Sequence, residues 1–294
     1  MATRFKRLVT SLKLLLPNTA AVGFAPGRRE FISAVILAIY IVAFWQTGTN
    51  PAMVFLGLPD MAKFVANMFP PHFFSWDQPY FYNRESEFEY VLLAALETFQ
   101  MAVLGTVLAV IFGFALAMLA ARNITPNLLV YQMTRTLCDG FRGISEVVWA
   151  LLFVAMVGLG PFTGVLALAV HNTGALGKFF SEAIEAMDEG ILESVEASGA
   201  TRTQVFFHGI IPELGTLFMS YILYYFEHNL RQAMVLGIVG AGGIGIELLL
   251  AMKYFNFDRA LSVIIVMLVM VIITDRLSGM IRKRLVGGEL MVVT

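Results

Sequence analysis

E-S-V-E-A-S-G-A-T-R-T-Q-V-F-F-H-G-I-I-P, residues 193 to 212, is a polar stretch set between long apolar runs. The flanking runs, Pro161 to Phe180 and Pro212 to Val239, have about the 20-residue length that a helix needs to cross a bilayer. The stretch is therefore a connection between membrane helices, and the fold class that follows is an all-α integral membrane protein. Working upstream, Ile184, Met187, Ile191 and Val195 recur at spacings of three and four, an amphipathic helical stripe. Glu182, Glu185, Asp188, Glu189, Glu193 and Glu196 occupy much of the rest. Two readings fit: an exposed helix whose apolar ridge enters a groove on another protein, or a solvated acidic loop whose stripe lies on its own membrane domain. Gly199 lets the chain turn without a Cβ penalty, and Pro212 suits the first turn of the next helix.

The composition agrees. Hydrophobic residues make up 58% and charged residues 14%, against about 25% charged in soluble domains, and mean hydropathy is +0.76. In 294 residues there is room for about six spanning helices and their loops, but not for a large soluble domain as well. The single cysteine, Cys138, excludes an internal disulfide and a cysteine-rich zinc site. Basic residues are spread over segment ends, with no stripe for nucleic acid.

The expected order begins with a basic segment, residues 1–30, carrying Arg4, Lys6, Arg7, Lys13, Arg28 and Arg29. This places the N-terminus on the cytoplasmic side; a cleaved signal peptide is disfavoured because no small-residue site closely follows the first apolar run. A first transmembrane helix follows over 31–49, then an outer loop over 50–89, rich in proline and aromatics, with a short surface helix from Met61 to Met68. A core over 90–285 holds spans at Tyr90 to Ala121, Asn127 to Gly158, Pro161 to Phe180, Pro212 to Val239 and Ala260 to Ile281. A cytoplasmic connection at 181–211 and a cytoplasmic tail at 286–294 complete it. Arg282, Lys283 and Arg284 put the C-terminus inside too.

Ionisable groups inside spans are functional candidates, because they are costly unless paired. Glu227 and Arg231 stand four apart and are expected to pair on one helix face, fixing packing or presenting positive charge. His171 and Asn172, and Arg142 with Glu146, are further candidates. Gly240, Gly242, Gly243 and Gly245 lie in G-A-G-G-I-G, which matches the spacing of a dinucleotide loop. No strand precedes the motif and no acid stands about 20 residues on, so that reading fails. The alternatives are a break lining a watery path or outer gate, and close helix packing through small residues.

The spacing Glu193, Gly199, Pro212 resembles the E-A-A-x3-G-x9-I-x-L-P signature of permease subunits of bacterial ATP-binding-cassette (ABC) importers. Ser194 and Val195 stand for the alanines, Gly209 for the isoleucine and Ile211 for the leucine. Together with G-L-G-P-F-T-G-V-L-A-L-A-V-H-N-T-G (158–174), Y-Y-F-E-H-N-L-R (224–231) and V-L-G-I-V-G-A-G-G-I-G (235–245), it resembles the phosphonate importer permeases over about Tyr90 to Arg284. The resemblance implies a type I, methionine-permease-like fold and a homodimer in the inner membrane. It also implies two ATPase subunits that carry ATP and Mg, an external binding protein, and a phosphonate, phosphite or phosphate-ester cargo. ATPase docking falls on Glu193, Ser194, Val195, Glu196, Gly199, Ala200 and Pro212.

No G-x-x-x-x-G-K-[ST] cradle occurs, so energy must come from a partner, and no H-E-x-x-H or G-x-S-x-G motif marks an enzyme. An ion-coupled carrier using Glu97, Glu146 and Glu227 is the competing class, and a permease of the same type for another solute, such as methionine, is the nearer alternative. A lipid-acting intramembrane enzyme would have only His171 to start from.

Overall fold

The computed structural model describes residues 26–48, 51–71, 87–125 and 127–286. Most of the expected N-terminal segment, the middle of the expected outer loop and the tail from 287 lie outside the described residues. All regular structure among the described residues is helical.

The chain divides into two compact units, residues 1–63 and 64–294. The first contains α1, Pro26–Gln46, and most of α2, Pro51–Asn67. Helix α2 begins ten residues before the Met61 start expected from sequence. Pro51 stands at its first position, where a missing N–H costs nothing, and Pro59 is carried inside it.

The second unit opens with α3, Glu87–Ala120, whose 34 residues run about 50 Å, longer than one span needs. The expected third span is not one helix. It is α4, Leu128–Gly143, and α5, Glu146–Val157, bent by 87°. Ile144 (φ −99°, ψ 129°) and Ser145 (φ −66°, ψ 153°) leave the helical region between them. No proline marks the bend, but Gly143 and Ser145 stand at it, between the charged Arg142 and Glu146.

Helix α6, Pro161–Glu185, is the central element and packs against α3, α4, α5 and α9 (Ile211–Leu236). Small residues allow this closeness: a Cβ on Gly174 would lie 2.5 Å from the Cys138 carbonyl oxygen. Because α6 is enclosed by protein, it tolerates His171, Asn172 and Lys178. Among the described residues, three helices are long and apolar enough to cross a membrane, four if the α4–α5 pair counts as one span. The other two of the six expected spans miss that test for separate reasons. The apolar part of α1, Phe31–Gln46, is short, and α6 is polar where neighbours cover it.

After α6 come α7, Glu189–Ala197, and α8, Arg202–Val205, which passes through a π-helical turn, Phe206–Ile210, into α9. Pro212 therefore lies within a continuous helical run and does not open a helix at a loop. The wider turn just before it accommodates a residue that cannot donate to the preceding turn. A second π-turn, Gly237–Ala241, ends α9; α10, Ile244–Lys253, and α11, Phe257–Val286, follow.

The largest core cluster joins α3, α6 and α9 beneath α7. Phe114 stacks on Phe180 at 4.3 Å, Phe218 meets both rings, and Phe206 of the π-turn meets Phe114 at 5.8 Å. Each aromatic pair contributes about 0.5–1.5 kcal/mol beyond its buried area.

Candidate functional site

The connection between α6 and α9 is a short helix clamped at both ends. Before α7, the Asp188 side chain accepts from the Gly190 N–H at 2.9 Å. After it, Gly199 takes φ +79°, a left-handed backbone that favours glycine. Thr201 then starts α8, with the Gln204 side chain accepting from both the Thr201 N–H at 2.8 Å and the Thr201 hydroxyl at 3.0 Å.

The apolar stripe faces inward. Ile184 and Met187 are buried in the core, and Ile191 and Val195 pack against it. The stripe is thus split between the end of α6, the turn after it and the underside of α7, and is not a ridge free to enter another protein; the core beneath offers it more apolar surface than water does. What α7 presents outward is polar and small: Glu193, Ser194, Ala197, Ser198 and Gly199 are exposed. Ala200 is half-buried, Pro212 is exposed, and the side chain of Glu196 lies outside the described residues. A shallow depression is lined by Ser194, Val195, Ser198, Gly199, Gln204 and His208.

The second constellation is a polar layer built by four helices. Helices α6 and α9 each contribute a His-Asn pair, His171–Asn172 and His228–Asn229. The asparagines turn to the core, where Asn172 Nδ2 donates to Asn229 Oδ1 at 2.5 Å and Asn229 Nδ2 donates to Thr106 Oγ1 of α3 at 2.8 Å. The histidines meet Glu146, in the first turn of α5: its Oε1 lies 3.1 Å from His171 Nε2 and 3.0 Å from His228 Nε2. His171 Nδ1 lies 2.8 Å from the Ile144 carbonyl, which the α4–α5 bend leaves without a helical partner.

Other candidates are placed differently from expectation. Glu227 and Arg231 do not pair with each other. Arg231 meets Asp275 at 3.2 Å and Glu227 meets Arg282 at 3.1 Å, both on α11. The face they share is packed against α11, so two partners across the helix contact replace one along the helix. Arg142 is separated from Glu146 by the bend and pairs with Asp139 at 3.4 Å, which also accepts from Lys178 at 2.7 Å. His228, Asn229, Thr106, Asp275 and Arg282 were not expected. The repeated H-N dipeptide was the legible trace of the first two.

The glycine segment is an irregular joint. Gly240, Gly242 and Gly243 take φ of +100°, +86° and +72°. The Gly243 N–H donates to Glu97 Oε2 at 3.0 Å and the Ile244 N–H to Thr98 Oγ1 at 2.8 Å, so α3 caps the start of α10. Gly245 is packed instead: a Cβ there would strike the Met234 carbonyl oxygen, and its Cα lies 2.7 Å from where a Gly237 Cβ would stand.

Residues 109–287 match the family described as binding-protein-dependent transport system inner membrane component. The chain belongs to that family. Inner membrane components of this kind are permeases, and the ATPase and substrate-binding protein of such a system are separate chains; this component is no enzyme. It is 36% identical over 267 residues, 89% of its length and 92% of the other's, to the phosphite transport system permease protein PtxC of Stutzerimonas stutzeri. It is 39% identical over 259 residues, 88% of each chain, to the putative phosphite transport system permease protein HtxC of the same organism. The expected likeness to the phosphonate importer permeases is thereby borne out. In fold the component resembles a chain of the MetNI methionine ABC transporter in an inward-facing crystal form, with TM-score 0.58, 18% identity, and coverage of 66% of this chain and 95% of that one. The expected type I importer permease fold agrees with this likeness.

Proposed function

We propose that this component carries a phosphonate or a related phosphorus oxyanion, such as phosphite or a phosphate ester, into the cytoplasm by alternating access. The observation that carries the reading is the identity to two phosphite permeases across nearly nine-tenths of the chain. A homodimer would sit in the bacterial inner membrane with both termini cytoplasmic, above two ATPase subunits that hold ATP and Mg and below a periplasmic binding protein. The segment divisions at 30, 49, 89 and 285 belong to this topology.

In this reading α7 is the part pushed by the ATPase, through Glu193, Ser194, Val195, Glu196, Gly199 and Ala200, with Pro212 just beyond. Support comes from its small polar outer face, its clamped ends and its buried apolar underside, which together let a push reach the core without deforming the helix. The path would pass Glu146, His171, Arg142, Glu227 and Arg231, with Asn172 behind. The joint at Gly240, Gly242, Gly243 and Gly245 would serve as outer gate, since irregular backbone at membrane depth is tolerated where protein buries it or water reaches it.

The test is ATPase activity of the chain with its ATPase and binding protein in lipid nanodiscs, titrated with aminoethylphosphonate, phosphite, phosphate and methionine. Stimulation by a phosphorus oxyanion is expected. Stimulation by methionine alone would remove the substrate class while leaving the permease, and failure to bind any ATPase would favour an ion-coupled carrier.

A further inference from the structure

We propose that Glu146 is an internal stand-in for the transported anion: in this conformation its carboxylate occupies the place between two imidazoles that receives an oxyanion during passage. The proposal rests on the reading that the cargo is a phosphorus oxyanion.

The geometry is that of an oxyanion site already filled. Two ring nitrogens, His171 Nε2 and His228 Nε2, converge on the single oxygen Oε1 of Glu146 at 3.1 and 3.0 Å. An ionised carboxylate only accepts, so His228 Nε2 donates to it, while His171 Nε2 lies beside the same oxygen in ion-pair range. His171 has its other nitrogen 2.8 Å from the Ile144 carbonyl, which also only accepts.

The two imidazoles are held independently of Glu146. On α6, His171 is anchored by the Ile144 carbonyl, and its neighbour Asn172 is tied to Asn229. On α9, the adjacent Asn229 is tied to Thr106, and the Tyr225 ring lies edge-on to His228 at 6.0 Å. Glu146 stands instead in the first turn of the twelve-residue α5, directly after the two-residue break. A rotation at Ser145, beyond the Ile144 carbonyl that anchors His171, withdraws the carboxylate while both rings stay in place. The rings are also reachable, with side-chain exposures of 30% at His228 and 15% at His171.

The arrangement explains how one site can both accept and release an anion. Charge-assisted bonds are about twice as strong as neutral ones, and the two imidazoles without a competitor would hold an oxyanion tightly. Exchange against a tethered carboxylate offsets most of that strength, which is what passage needs: binding favourable enough to enter and weak enough to leave.

The experiment uses the chain with its ATPase in nanodiscs, without the binding protein for affinity and with it for uptake, and phosphite and methylphosphonate as probes. Glu146→Gln keeps the volume and removes the competitor; it is expected to raise affinity for the accepted probe at least tenfold while lowering uptake at least tenfold. His228→Gln is expected to lower both at least tenfold in an assembled complex. An unchanged or weaker affinity of Glu146→Gln, beside normal uptake by the parent, overturns the stand-in alone. Absence of uptake of either probe by the parent overturns the cargo reading and the stand-in with it. Should Glu146→Gln not assemble, Glu146→Asp, shorter by one methylene, is read by the same affinity measurement with the same expected sign.

Discussion

Glu227 and Arg231 stand one turn apart on α9, yet each bonds to α11, at Arg282 and Asp275. Spacing along a helix says which residues share a face, not what lies opposite, so the shared face was legible in the sequence and the partners were not. The Glu227 carboxylate is 14% exposed and the Arg282 guanidinium 40%, placing the pair between surface pairs worth about 0–1 kcal/mol and buried pairs that cost about 3–5 kcal/mol to break. We expect Glu227→Arg or Arg282→Glu alone to lose about 1–3 kcal/mol, and the exchanged double variant to recover most of it, measured by thermal unfolding in nanodiscs. Equal losses in singles and double would show that the pair does not hold the helices together. Gly245 gives a steric test. A methyl group there meets the Met234 carbonyl and the Gly237 backbone, which no side-chain rotation can clear, whereas Gly279 has nothing within 4 Å. Gly245→Ala is expected to cost at least about 1–3 kcal/mol, the range for overpacking, and Gly279→Ala to stay near parental unfolding temperature.

At the scale of elements, the long apolar helices α3, α9 and α11 were legible because about 20 apolar residues admit few other readings. The bend between α4 and α5 was not expected, although Gly143 and the Ser145–Glu146 pair mark the end of one helix and the start of another. Nor was the direction of the α7 stripe: Ile191 and Val195 show that a face is apolar, and only the position of Phe180, Phe206 and Ile210 beneath it shows which surface covers it. This distinction separates two perturbations of the same element. Gly199 faces open space, so Gly199→Trp strains only a left-handed backbone by about 1–2 kcal/mol and projects its ring toward a docked partner. It is expected to leave the unfolding temperature of the isolated chain nearly parental while uncoupling ATP hydrolysis from uptake in the full complex. Phe206→Ala acts from below, removing a ring that ties the π-turn to Phe114, and is expected to lower both thermal stability and coupling. Coupling that survives Gly199→Trp would exclude this face as the docking surface.

For the whole molecule, the decisive quantity is how many chains make one transporter. Each chain offers one α7, and a motor made of two ATPases has two places to push. The polar layer points the same way: Asn172 and Asn229 close it toward the core, while His228 stays 30% exposed on a chain with no second polar wall among its described residues. An anion crossing beside a single copy would meet lipid on its other side, where charge is expensive; a second copy facing the first supplies that wall by symmetry, in the closed two-fold arrangement commonest among homo-oligomers. The expected outcome is a native mass spectrum of the complex, released from nanodiscs, that fits two copies of this chain with two ATPase subunits, and no species with one copy that hydrolyses ATP in response to the binding protein. A functional complex holding one copy of this chain and one different permease chain would instead assign the missing wall, and the second docking helix, to that other subunit.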